Sequence, residues 1–191
     1  MSLGRRAGAL LGAALILAGT LGAVRAAHDP VKAWVGQILL ERSWQQIRDG
    51  ADPARPWHWA DIAPIAKITV PRLRTSAVVL GSASGEAMAW GPGHLAGSAP
   101  LGQPGLAAIA GHRDSHLAFL ADTRPGDRIV IETTDGALHH FEATEARVVD
   151  SRRWTLPIRR SGEVALALTT CWPFDGGNDG PLRFVLFAKA V

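Results

Sequence analysis

The sequence predicts a mainly β domain, a sandwich or a closed barrel of about eight short strands, and three observations predict it. β-prone runs recur at 65–70, 77–80, 106–112, 128–132, 137–143, 147–150, 164–171 and 182–188. Turn chemistry separates them, most plainly at Ser84-Gly85, Pro125-Gly126-Asp127 and Asp135-Gly136. Past residue 57 no long stretch carries the apolar spacing of a helix. Many short strands with little helix are the pattern of sandwiches and barrels. Asp135-Gly136, set between two of the runs, is the strongest local hairpin signal.

The chain begins differently. Residues 7–24 (AGALLGAALILAGTLGAV) hold no charge, with Arg5 and Arg6 before them and Arg25 after. A helix of that length just reaches across the ~30 Å hydrocarbon core of a bilayer. The leading arginines favour a cytoplasmic start, which exports everything downstream. A cleaved signal peptide is the competing reading, with Val24-Arg25-Ala26 as a small-residue cleavage site. Both readings put the folded domain outside the cytoplasmic membrane. From Val31 to Arg48 the residues Trp34, Ile38, Leu39 and Trp44 fall near helical spacing, and Asp49-Gly50 supplies a stop. The expected organisation is therefore a start and anchor over 1–27, an amphipathic helix and linker over 28–56, and a catalytic or binding domain over 57–191.

Composition excludes several classes. The formal charge is +3, from 20 Lys and Arg against 17 Asp and Glu, and the basic residues are spread rather than gathered. That does not argue for nucleic acid. One cysteine forbids an intramolecular disulfide and any multi-cysteine zinc site, and the expected reading needs no metal or other cofactor.

Three runs could carry chemistry. The apolar run Val164-Ala165-Leu166-Ala167-Leu168-Thr169-Thr170 delivers Cys171 at a strand end, where Trp172-Pro173-Phe174 leads into a glycine-rich loop. Proline there forbids continuation as a central strand. A lone cysteine is more often a small buried hydrophobe than a nucleophile, so its surroundings must decide. Ala107-Ala108-Ile109-Ala110-Gly111 delivers His112 from a second strand, with a glycine that permits close backbone approach. Asp114 or Ser115 would cap the helical turn suggested by Leu117, Phe119 and Leu120. A third apolar run, Leu182 to Ala188, is interrupted by Arg183 alone. A guanidinium there needs an anion or several acceptors, either Asp175 or Asp179 or an oxyanion that forms during reaction.

Taken together, His112, the Leu168-Thr169-Thr170-Cys171 run and Arg183, in that order, resemble the His, TLxTC and Arg elements of the sortase family. The flanks narrow the resemblance. Trp57-His58-Trp59-Ala60-Asp61, Val70-Pro71-Arg72-Leu73, Gly91-Pro92-Gly93-His94, Gly111-His112-Arg113-Asp114-Ser115-His116 and Cys171-Trp172-Pro173-Phe174-Asp175 are similar to the Gram-negative branch, class GN.

The resemblance implies a closed β-barrel and a cysteine transpeptidase that cuts an LPxTG-like C-terminal sorting signal. It assigns Cys171 as nucleophile, His112 as acid and base, and Arg183 as stabiliser of the tetrahedral intermediate. Thr170 is a weaker candidate for substrate binding. The implied partners are an envelope protein carrying the sorting signal and an amine acceptor, met on the periplasmic side of the inner membrane by a single-pass protein. Two rivals remain. A metal-dependent hydrolase would use His112, Asp114 and His116, spaced two apart as on one strand face. An exported barrel that only binds peptides would keep the fold without the chemistry.

Overall fold

The computed structural model describes residues 35–51, 55–58, 60–158, 162–176 and 180–191, together with Gly12, Gly19, Thr20 and Gly22. Almost all of the expected membrane segment, with Trp34, Trp59 and Asp179, lies outside them. Among the described residues no helix is long and apolar enough to cross a membrane.

Residues 35–48 form helix α1. Its end is set by Gly50 at φ +91°, whose N–H reaches the Ile47 carbonyl at 3.0 Å while Ala51 N–H reaches Gln46 at 2.9 Å. Trp44 is buried as expected, but the rest of the buried face differs. Gly36, Leu40, Ser43 and Trp44 point inward, whereas Ile38 is exposed and Leu39 half-buried. The face is chosen by fit: Gly36 lies against the Trp90 ring, where an added Cβ would come within 2.7 Å.

The body is a closed barrel of eight strands: β1 Pro64–Val70, β2 Thr75–Leu80, β3 Gly93–His94, β4 Gly105–Ala110, β5 Arg128–Thr133, β6 Leu138–Asp150, β7 Val164–Cys171 and β8 Leu182–Ala190. Their order around the barrel is β1-β2-β3-β4-β7-β8-β6-β5. Pairs are antiparallel except β2 with β3 and β4 with β7. Closure leaves no long open sheet edge to solvent. Alternation does the sorting, since in β1 every second residue from Pro64 to Val70 is buried. The expected hairpin is present: Gly136 takes φ +81° and donates to Thr133 O at 2.9 Å.

Four local expectations are corrected. The runs 137–143 and 147–150 are one strand, β6, because a bulge between Ala143 and Glu145 absorbs Thr144 and lets pairing with β8 continue. Gly93 and His94, outside every β-prone run, make β3, too short for any periodicity to show. A Cβ on Gly93 would overlap the Ser82 carbonyl, so this strand depends on glycine. The third correction shortens β4, which stops at Ala110 rather than His112. Last, Ala118–Asp122 is a 3₁₀ helix that Leu117 precedes without a side-chain cap from Asp114 or Ser115. A short helix, α2 (Gly85–Met88), follows Ser84, whose hydroxyl accepts from Ala87 N at 3.3 Å.

Three apolar clusters follow from this geometry. The barrel interior holds Ile68, Val79, Ile109, Ile131, Phe141, Leu166, Leu168 and Leu186. On the outside of β2, Leu40 and Trp44 of α1 cover Val78 and Leu80. Elsewhere on the outer surface, Leu106 and Ala108 of β4, Ala167 of β7 and Val185 of β8 lie beneath Trp154 and Leu156 of the segment that joins β6 to β7.

Candidate active site

The site is built on adjacent strand ends. β4 and β7 run parallel in register from Gly105 opposite Val164 to Ala110 opposite Thr169. Beyond Ala110, Gly111 N–H still donates to Thr169 O at 3.2 Å, and Thr170 Oγ1 donates to Gly111 O at 2.7 Å. His112 therefore leaves the end of β4 beside the end of β7, where Cys171 stands. On the other side β7 pairs antiparallel with β8, and Cys171 lies directly opposite Arg183. Directly opposed side chains share a face of the sheet. In β7 the even residues Leu166 and Leu168 point into the barrel and Ala167 points out, so Cys171 and Arg183 face outward on the floor made by Ala167 and Val185.

Each group has a defined setting. Cys171 is a free, half-buried thiol. Arg183 donates through Nη1 to the carbonyls of Gly180 and Leu182, both at 2.8 Å, which fixes the guanidinium by backbone acceptors. His112 is exposed, and its carbonyl accepts from Leu117 N at 3.1 Å, closing a turn. Thr170 faces the interior and is 3% exposed, with its hydroxyl committed to Gly111. Gly111 has no room to become larger: a Cβ would meet Leu117 Cγ at 2.9 Å and Pro92 Cβ at 3.2 Å.

His116, read from the sequence only as a possible metal ligand, is 8% exposed. Its Nε2 is buried without a hydrogen-bond partner. Burial, and after it the nearby charge of His112, push its pKa down to about 4, against a smaller opposing pull from Asp114. The metal reading finds no strand to stand on, because residues 113–117 form a turn. Among the described residues no group of three His, Cys, Asp or Glu is placed to hold a metal ion.

Sequence reasoning did not find two features of the site. Trp154 and Leu156 lie over the outer face of the β4–β7–β8 sheet, yet nothing in Ser151 to Ile158 has strand or helix periodicity. The segment is anchored by its turn, with Trp154 N–H donating to Asp150 O at 2.9 Å and the Ser151 hydroxyl to Pro181 O at 2.8 Å. The second feature is an aromatic cluster after the cysteine. Trp172 stacks on Phe184 at 6.0 Å between centroids, and Phe174 meets both rings edge-on. Trp172 and Phe174 are near neighbours in sequence, but Phe184 lies on β8, and the β7–β8 register brings it to them.

A closed eight-stranded barrel brings a thiol, a guanidinium and a histidine to three neighbouring strand ends. The family model for the sortase domain matches residues 68–191, and the chain belongs to the sortase family. It is similar to sortase D of Bacillus subtilis (strain 168), 22% identical over 124 residues, which is 65% of this chain and 62% of that protein, less than two thirds of its length. Among solved structures, sortase A from Corynebacterium diphtheriae superposes with a TM-score of 0.62 at 20% identity, covering 91% of this chain and 95% of that one. A sortase D5 transpeptidase from Clostridium perfringens gives 0.58 at 22% identity, covering 79% and 88%. At such identities these superpositions establish the fold.

Proposed function

We propose that this protein is a cysteine transpeptidase of the Gram-negative, class GN, branch of sortases. It would be held in the inner membrane by residues 7–24, with its barrel in the periplasm. The observation that carries the reading is the register that sets Cys171 opposite Arg183 beside the pinned end of β4 that leads into His112. The substrate is an envelope protein with an LPxTG-like C-terminal signal.

In this reading the Cys171 thiolate, its proton held by His112, attacks the threonine carbonyl carbon, forming a C–S bond as the carbonyl becomes an oxyanion. Arg183 stabilises that oxyanion with charge-assisted hydrogen bonds. Collapse breaks the C–N bond, and His112 gives its proton to the departing amine. The acceptor amine then attacks the thioester, gives its proton to His112, and releases the Cys171 thiolate. The partial burial of Cys171 and Arg183 at paired strand ends, with His112 exposed beside them, supports an extended peptide lying across those ends.

Mass spectrometry of the full chain in detergent, incubated with LPxTG-type peptides, tests this. An acyl adduct on Cys171, absent from Cys171→Ala, is the expected result. Silence across a library of such tails, from a folded protein whose thiol resists alkylation, would instead support a barrel that only binds peptides.

A further inference from the structure

The hydroxyl of Thr170 faces away from the thiol beside it in sequence. In β7 the inward residues are Leu166, Leu168 and Thr170, whereas Cys171 points out. Thr170 is 3% exposed, and its Oγ1 donates to the Gly111 carbonyl at 2.7 Å. That carbonyl belongs to the peptide unit leading into His112. The same glycine is held from its other side by its N–H on Thr169 O at 3.2 Å, and Leu117 and Pro92 close on its Cα. The segment preceding the histidine is thus fastened to the segment preceding the cysteine at two points. One point is an ordinary backbone bond that any residue at position 169 would make. The other requires a hydroxyl at 170.

We propose that Thr170 is a positioning residue that sets His112 against Cys171 by clamping the Gly111 carbonyl, a role that rests on the transpeptidase reading above and assigns Thr170 no contact with substrate. The physical basis is that a buried carbonyl which loses its donor must find another, and the chain bearing it turns to do so. Movement of Gly111 moves His112, whereas Cys171, held by the β7–β8 ladder, stays in place. Displacement of an acid/base partner by about 1 Å is sufficient to cost on the order of 100-fold in rate.

Thr170→Val keeps the shape and the β-branch but removes the donor, and Thr170→Ser keeps the donor but removes the methyl. Both would be made in the full chain in detergent, with two readouts. The first is the pH dependence of Cys171 alkylation by iodoacetamide, which senses the pairing with His112 and needs no peptide. The second is acyl-adduct formation with an LPxTG-type peptide. Thr170→Val is expected to change the alkylation profile and to lower the acylation kcat by about 10- to 100-fold, with KM within about twofold. Thr170→Ser is expected to restore both to near wild type. Wild-type behaviour of Thr170→Val in both assays would overturn the proposal, and so would equal losses in the two variants, since the hydroxyl would then not be the operative group. If wild type forms no adduct while Thr170→Val still alters alkylation and Thr170→Ser does not, the clamp stands and the transpeptidase reading falls.

Discussion

Two parts of the barrel's outer surface are covered by segments from outside the sheet, and they are covered in opposite ways. Over β2, α1 lays Leu40 and Trp44 onto Val78 and Leu80, and leaves both aliphatic and aromatic groups fully buried. Polar ties secure it: Gln37 Nε2 donates to Trp90 O at 2.8 Å, and Lys67 Nζ meets Glu41 at 2.6 Å. Over β4, β7 and β8, an irregular segment lays Trp154 and Leu156 onto Leu106, Ala108, Ala167 and Val185, while Cys171 and Arg183 at the strand ends are only half-buried. Both covers bury the strand residues beneath them, so what sets the second flank apart is its edge, where Cys171 and Arg183 stand half-buried and His112 is exposed. One flank is thus wholly buried, and the other ends in the partly exposed groups to which the proposed chemistry is assigned.

The largest effects should fall on the open flank and touch activity alone. Cys171→Ala should abolish the acyl adduct in mass spectrometry. Arg183→Ala should lower acylation by about 10²- to 10³-fold, the usual cost of one donor to an oxyanion. Neither should shift the thermal midpoint by more than a degree or two, since both side chains lie at a strand end outside the core. A large loss of stability in either would mean that this flank is structural after all.

On the covered flank the expectation reverses. Trp44→Ala removes a side chain with 0% exposure and should cost about 3–5 kcal/mol in urea unfolding. The protein that remains folded should acylate at the wild-type rate. Gly36→Ala forces a Cβ to within 2.7 Å of the Trp90 ring and should cost less, about 1–3 kcal/mol, because the ring can shift.

His116 lies between the two regimes, buried like the covered flank but next to His112. An unfolded histidine takes up its proton near pH 6.5, whereas the buried ring stays neutral down to about 4. Between those values the unfolded chain holds more protons, so stability is full above 6.5 and falls as pH drops through the window. The loss should reach roughly 3 kcal/mol at pH 4. Urea unfolding at about pH 7 and pH 4.5 should show a wild-type decrease that His116→Gln lessens; equal decreases in both would place the acid sensitivity elsewhere.

How much of this was legible in the sequence follows the same division. Strands with sustained alternation or a full apolar run, such as β1 and β7, declare themselves, as does a hairpin with Asp135-Gly136 at its tip. The closed barrel came from a resemblance, not from periodicity, because alternation says which face is apolar and not whether a sheet closes. α1 is legible, and so is its buried Trp44, but the rest of its inward face is not: Gly36, which packs against Trp90, and the buried Ser43 contribute nothing to an apolar pattern. Thr170 shows the limit most clearly. Its sequence neighbour is Cys171, yet its hydroxyl serves a carbonyl 59 positions away, a pairing set by the parallel register of β4 and β7. The cover of Trp154 and Leu156 was invisible for a related reason, since a loop's destination is encoded in what it packs on.

The smallest effect tests whether the helix flank is held by packing or by charge. Glu41 and Lys67 meet at 2.6 Å, with side chains 40% and 19% exposed. A pair this open to water contributes about 0.2–1 kcal/mol, and added salt screens it. Glu41→Gln should therefore lower stability by less than about 1 kcal/mol in low salt and by nearly nothing in high salt, with acylation unchanged. Because Leu40 and Trp44 remain buried in that variant, α1 should stay docked, which protection of the backbone amides of residues 40–48 from hydrogen exchange would register. Loss of that protection would mean that the ion pair, and not the apolar face, holds α1 on the barrel, and the contrast between a flank built by packing and one left open for chemistry would have to be redrawn around electrostatics.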